Sequence, residues 1–160
     1  MRDILFRGKR TDDGEWVEGY LFKIWDKSYI LWGTTNGVPN MTEVIPETVG
    51  QYTGLTDKNG TKIYEGDIVN ILDYQSGIVT KECGAFGIVI KPFIDWDYLD
   101  SEIETITGCR NRPYFCRNDN FISLWELMWN YNQEENSCYV VEVIGNIHDN
   151  PDLIKGEVQE

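Results

Sequence analysis

One histidine serves the whole chain, and its four cysteines never stand close enough to pair as ligands. His148 is the only imidazole, and Cys83, Cys109, Cys116 and Cys138 include no C-x-x-C step. A zinc site declares itself by closely spaced thiolate and imidazole ligands, so neither metal nor cofactor is expected. The cysteines read instead as free thiols of a reducing compartment, with Cys138 buried in a strand. Long apolar runs are missing as well. Nothing approaches the ~18–20 residues of a membrane span. The start, Met1-Arg2-Asp3-Ile4-Leu5-Phe6-Arg7, falls short of a secretory leader's apolar stretch of ~7–15 residues. A cytoplasmic protein with no membrane partner is expected, and two glycosylation-like triplets, at Asn40 and Asn59, are then chance matches.

Cations are scarce: 14 Lys and Arg face 27 Asp and Glu, for a net charge of -13. Such a chain is repelled by nucleic acid phosphates and by anionic membranes, which disfavours nucleic acid as a partner. The exception is the amino end, where Arg2, Arg7, Lys9 and Arg10 cluster. They read as a solvated strand end. A nucleic-acid-binding module would need all four on one face.

Catalytic patterns are absent too. The glycines form neither G-x-G-x-x-G nor a P-loop, and no G-x-S-x-G occurs. Asp57-Lys58-Asn59-Gly60 fails as a calcium loop, because Lys62 stands at the sixth position and Ile68 at the twelfth. His148 sits in an Asn-Ile-His-Asp turn and reads as a capping or surface residue rather than half of a Cys–His dyad. Glu65 and Asp67 would need a concave site that splits their pKa values before they could act as an acid/base pair. No catalytic residue is assigned, and no enzyme is expected.

What the chain has in quantity is aromatic side chains, 13% of residues, including six Trp and nine Tyr. Each buried ring hides roughly 150–250 Å², enough in total for a real core. The first third reads as strands at 4–7, 16–22, 28–32 and 42–45, with Asp13-Gly14 as a tight turn and 33–40 as a loop. Asn59-Gly60 marks a hairpin. Glu65-Gly66-Asp67 bends the chain into a buried strand at 68–72, Gln75-Ser76-Gly77 turns it again, and strands follow at 78–80 and 85–90. A helix is expected over 120–131, capped by Asp119 or Ser123, from the spacing of Phe121, Leu124, Trp125, Met128 and Trp129. A polar turn at 133–137, a strand at 138–144, a short helix after Asn150-Pro151 and a frayed tail complete the reading.

The segment 93–117 differs. Asp95, Asp97, Asp100, Glu102 and Glu104 stand with Phe93, Trp96 and Tyr98, and no Lys or Arg falls between Lys91 and Arg110. This acidic, aromatic stretch reads as a solvated loop, or as a patch that binds a basic protein in place of nucleic acid.

Several segments together are similar to the YopX family of phage and prophage proteins. They are Ile4-Leu5-Phe6-Arg7, Gln51-Tyr52-Thr53-Gly54-Leu55, Asp57-Lys58-Asn59-Gly60, Ile63-Tyr64-Glu65-Gly66-Asp67-Ile68-Val69, Val143-Ile144-Gly145-Asn146-Ile147 and Asn150-Pro151. The resemblance implies SH3-like β structure in the central part, homo-oligomers, a bacterial host cell and no known catalytic or ligand-binding residues. Residues 93–133 have no counterpart in it and read as an insertion. The expected fold is mostly β with minor helix. An N-terminal β subdomain spans 1–50, an SH3-like barrel core spans 51–154 with the insertion inside it, and 155–160 form a tail. The expected role is that of a phage accessory protein acting through protein–protein contact or self-assembly. The alternatives are an acidic decoy for a host DNA-binding protein and an SH3-like nucleic-acid-binding module.

Overall fold

The computed structural model describes residues 4–108, 120–131, 137–138 and 140–155. Arg2, Cys109, Cys116, the Asp119 cap, most of the 133–137 turn, Tyr139 and the tail at 156–160 lie outside the described residues. The chain divides into two units, Met1–Gly54 and Leu55–Glu160.

The first unit is built from antiparallel strands β1 (Phe6–Lys9), β2 (Trp16–Ile24), β3 (Lys27–Thr35), β4 (Val38–Val44) and the start of β5 (Gly50–Asp57). They lie in the order β5-β1-β2-β3-β4. Residue parity sorts the two faces. Gly8, Gly19, Ser28, Ile30 and Val44 point inward and are buried. The loop expected at 33–40 is instead the tip of the β3–β4 hairpin, where Thr35 faces Val38 and Asn36-Gly37 makes the reversal at φ 52° and 78°. A two-residue turn with both φ positive suits the twist of the strands, and Asn-Gly is the usual way to supply it.

The second unit holds a five-stranded antiparallel sheet. Its strands are β10 (Phe121–Ser123), β9 (Ala85–Val89), β8 (Gln75–Glu82), β7 (Asp67–Ile71) and β12 (Val141–Asn146), in that spatial order. Beside them, β6 (Lys62–Tyr64) pairs with β5, and β11 (Ser137–Cys138) runs parallel to it at Thr56 and Asp57. The unit's core is aliphatic: Ile63, Val69, Ile71, Val79, Ile88, Ile122, Leu127 and Val141 are at most 1% exposed. Against it pack α1 (Trp96–Thr107) and α2 (Leu124–Tyr131); a single turn, α3 (Asp152–Lys155), follows Pro151.

The mostly-β expectation holds, but these are open antiparallel sheets, and no closed barrel is found among the described residues. Four local expectations change. The turn placed at Gln75-Ser76-Gly77 lies three residues earlier, at 72–74, with Leu72 and Asp73 at φ 54° and 56°. Gly77 is a strand residue because its backbone presses on β9: a Cβ there would stand 2.6 Å from the Val89 carbonyl oxygen. The expected helix over 120–131 begins only at Leu124, since 121–123 pair with β9. The 138–144 strand breaks at Val140, separating β11 from β12. Finally, the acidic stretch is no loop: Asp95 caps α1 by accepting from Tyr98 N at 3.0 Å, and Gly108 ends the helix with φ 67°.

Candidate functional site

The acidic and aromatic side chains at 93–104 are organised by α1. Phe93 precedes the helix and is 59% exposed. Asp95 is spent on the backbone, and its second oxygen accepts from Tyr74 Oη at 3.0 Å. Tyr98 stacks on Tyr74 with ring centroids 4.0 Å apart. Gln75 completes the join by accepting from Asp95 N at 3.0 Å and donating to the Phe93 carbonyl at 3.3 Å. Trp96 packs against the core, whereas Asp97 and Asp100 stand exposed, and Glu102 and Glu104 are half-buried. The helix therefore separates residues that adjacency in sequence had joined. The aromatics anchor it, and Asp97, Asp100 and Glu104, spaced i, i+3, i+7, share a flank.

The cationic amino end is also divided. Arg7 and Lys9 alternate onto the outer face of β1, where they lie 4.7 and 5.5 Å from the Trp16 ring centroid. Arg10 instead pairs with Asp12 and Asp13 at 3.1 and 3.4 Å. One shared face for these three cations is not what the strand provides.

Of the buried carboxylates Asp57, Asp67 and Glu126, the first two serve backbone geometry. Asp67 accepts from Tyr64 N at 2.7 Å across the Glu65-Gly66 bend, where Gly66 has φ 86°. This agrees with its expected role at a strand entrance. Asp57 does more than its sequence position suggests. One oxygen accepts from Asn59 N and Thr61 N at 2.9 and 2.8 Å, closing the hairpin turn. The other accepts from Val143 N at 2.9 Å, on the edge of β12. Cys138, paired in register with Asp57, is fully buried; burial first, and the nearby Asp57 charge second, push its thiol up to about 12. It cannot supply a thiolate nucleophile near neutral pH. His148 donates its backbone N–H to Asn146 Oδ1 at 3.0 Å within the expected turn. No cluster of three or more His, Cys, Asp or Glu side chains with metal-binding geometry occurs among the described residues.

The surface that sequence reading missed lies in the first unit. The outer row Tyr20–Leu31–Met41 runs across three strands, and Phe22–Tyr29–Glu43 runs beside it. Tyr20 is 52% and Met41 55% exposed, and Trp25, at the β2–β3 turn, is 92% exposed. Phe22 and Tyr29 stack at 5.4 Å. The signal was present as alternation in Tyr20, Phe22 and Ile24, but alternation does not say which face is covered.

No helix among the described residues is long and apolar enough to cross a membrane. No curated protein matches the chain. Among solved structures it is similar to protein EF1440 from Enterococcus faecalis, known from a crystal structure, with 23% identity and a TM-score of 0.47 over 96% of this chain and 99% of that one. The family model described as YopX protein matches residues 5–155, nearly the whole length, and the chain therefore belongs to the YopX family.

Proposed function

We propose that this YopX-family protein is not an enzyme and acts in the host cytoplasm through protein contact, its first partner being a second copy of itself. The observation that carries this reading is the outer face of β2, β3 and β4. Its exposed side chains, Tyr20, Ile24 and Met41, form a connected apolar surface rather than scattered positions. Charge supports a copy as occupant. Arg7, Lys9 and Lys27 stand against Glu18 and Glu43 on this face, so it is nearly balanced on a chain of net charge -13. Two acidic molecules repel least where such faces meet. Association by strand addition is opposed at β4. Ile45 N donates to the Lys9 carbonyl and the Glu43 carbonyl accepts from Thr11 N, so odd-numbered positions direct their backbone groups away from β3. Pro39 has that parity and offers no N–H there. Light scattering on the full chain tests the reading. Wild type should exceed 18.6 kDa, and Tyr20→Ser with Met41→Ser should return it to monomer mass with an unchanged circular dichroism spectrum. A wild type that stays monomeric at every concentration overturns it.

A second reading, an acidic decoy for a host DNA-binding protein, draws on where the charge sits. Residues 1–54 hold six Lys and Arg against eight Asp and Glu, while residues 55–160 hold eight against nineteen. Capture of a basic host protein that DNA displaces supports it; capture indifferent to DNA removes it.

A further inference from the structure

The chain contains two Asn-Gly steps, Asn36-Gly37 and Asn59-Gly60, and the structure treats them differently. Asn-Gly is the step at which a backbone can react with its own side chain. The Gly nitrogen gives up its proton to solvent base and attacks the Asn Cγ. The Cγ–Nδ2 bond breaks and ammonia leaves, forming a five-membered imide. Water then opens the imide at either carbonyl, leaving aspartate or isoaspartate. Atoms balance with water as the only co-reactant, and no oxidant or reductant takes part. In a folded chain the rate depends on how readily the turn opens to let that nitrogen reach Cγ.

At Asn59-Gly60 the participants are held. The attacking nitrogen, Gly60 N, donates to the Asp57 carbonyl at 3.0 Å. Asn59 N donates to the buried Asp57 carboxylate at 2.9 Å, and the Asn59 side-chain amide donates to Glu142 Oε1 at 3.2 Å. The next residue, Thr61, is tied to the same carboxylate. Opening this turn means detaching Asn59 N and Thr61 N from the Asp57 carboxylate, on a residue that is 1% exposed. At Asn36-Gly37 every residue from 33 to 39 is exposed, and a Cβ placed on Gly37 would meet nothing within 4 Å. Local contacts there amount to the strand pairs below the turn and an Asn40–Thr35 side-chain bond at 3.0 Å.

We propose that Asn36 is a site of spontaneous deamidation and isomerisation, and that Asn59 is protected by the Asp57 and Glu142 carboxylates. The modification adds a negative charge at the tip of the β3–β4 hairpin. Peptide mapping by mass spectrometry tests this on the intact protein, incubated at mildly alkaline pH beside a sample in denaturant. In denaturant both steps should convert at comparable rates. In the folded protein Asn36 should convert at least about tenfold faster than Asn59, because each retained hydrogen bond lowers the open population several-fold. Glu142→Ala should accelerate Asn59 and leave Asn36 unchanged. Equal folded-state rates, the reverse order, or no conversion of Asn36 while the denatured sample reacts would each overturn the proposal.

Discussion

Asp57 links two segments that lie 86 positions apart, since one carboxylate holds both the Asn59 turn and the Val143 N–H. Three backbone donors depend on it, and hydrogen bonds to a charged group contribute about 1.5–3 kcal/mol each. Asp57→Ala leaves those donors without an acceptor at a buried site. We expect it to lower stability by about 3 kcal/mol or more in urea denaturation, whereas Asp12→Ala, on an exposed turn, should leave the urea midpoint close to that of wild type. Cys138 gives a residue-scale test by pH. Its thiol is raised to about 12 in the folded chain, against about 8.5 for an ordinary thiol. The unfolded chain therefore loses this proton first as pH rises. The group's contribution to stability is full below about pH 8.5 and declines between there and about pH 12. At neutral pH an alkylating reagent followed by peptide mapping should modify the exposed Cys83 and spare Cys138 until the protein unfolds.

The elements show how far local chemistry reaches. Asn59-Gly60 and Glu65-Gly66-Asp67 were legible as turns because positive φ is a local demand that few residues meet. The turn at Leu72 and Asp73 was not legible, since neither residue advertises it. Asp73 is met by the Lys58 ammonium at 3.1 Å, a partner distant in sequence. Helix α1 escaped notice because a dense run of acids masked an apolar stripe. Trp96 and Leu99 face the core, and Leu99 is 2% exposed. Its start depends on the Asp95 cap and on Tyr74. Asp95→Ala should cost about 1 kcal/mol locally. It should speed amide hydrogen exchange across Trp96–Thr107 while leaving β7 and β8 protected; uniform acceleration in both would show that α1 does not open alone.

At the scale of the molecule, self-association and decoy binding respond oppositely to salt. Contact between copies of a chain carrying -13 charges is opposed by repulsion. Screening should therefore strengthen it, and the mass seen by light scattering should rise between low and moderate ionic strength. An acidic surface holding a basic protein should weaken over the same range. Association that falls as salt is added would count against the apolar face as its seat.

By itself the sequence determined that this is a mostly-β chain, that Asn59-Gly60 and Glu65-Gly66-Asp67 reverse it, and that Asp67 serves a strand entrance. These follow from short-range rules of φ, alternation and capping. Only the tertiary structure decided that Asp57 reaches Val143, that Gly77 lies under β9 instead of turning, that α1 forms, and that Tyr20 and Met41 remain uncovered. Those outcomes depend on which distant segment supplies a donor or covers a face, and no local window of residues contains that information.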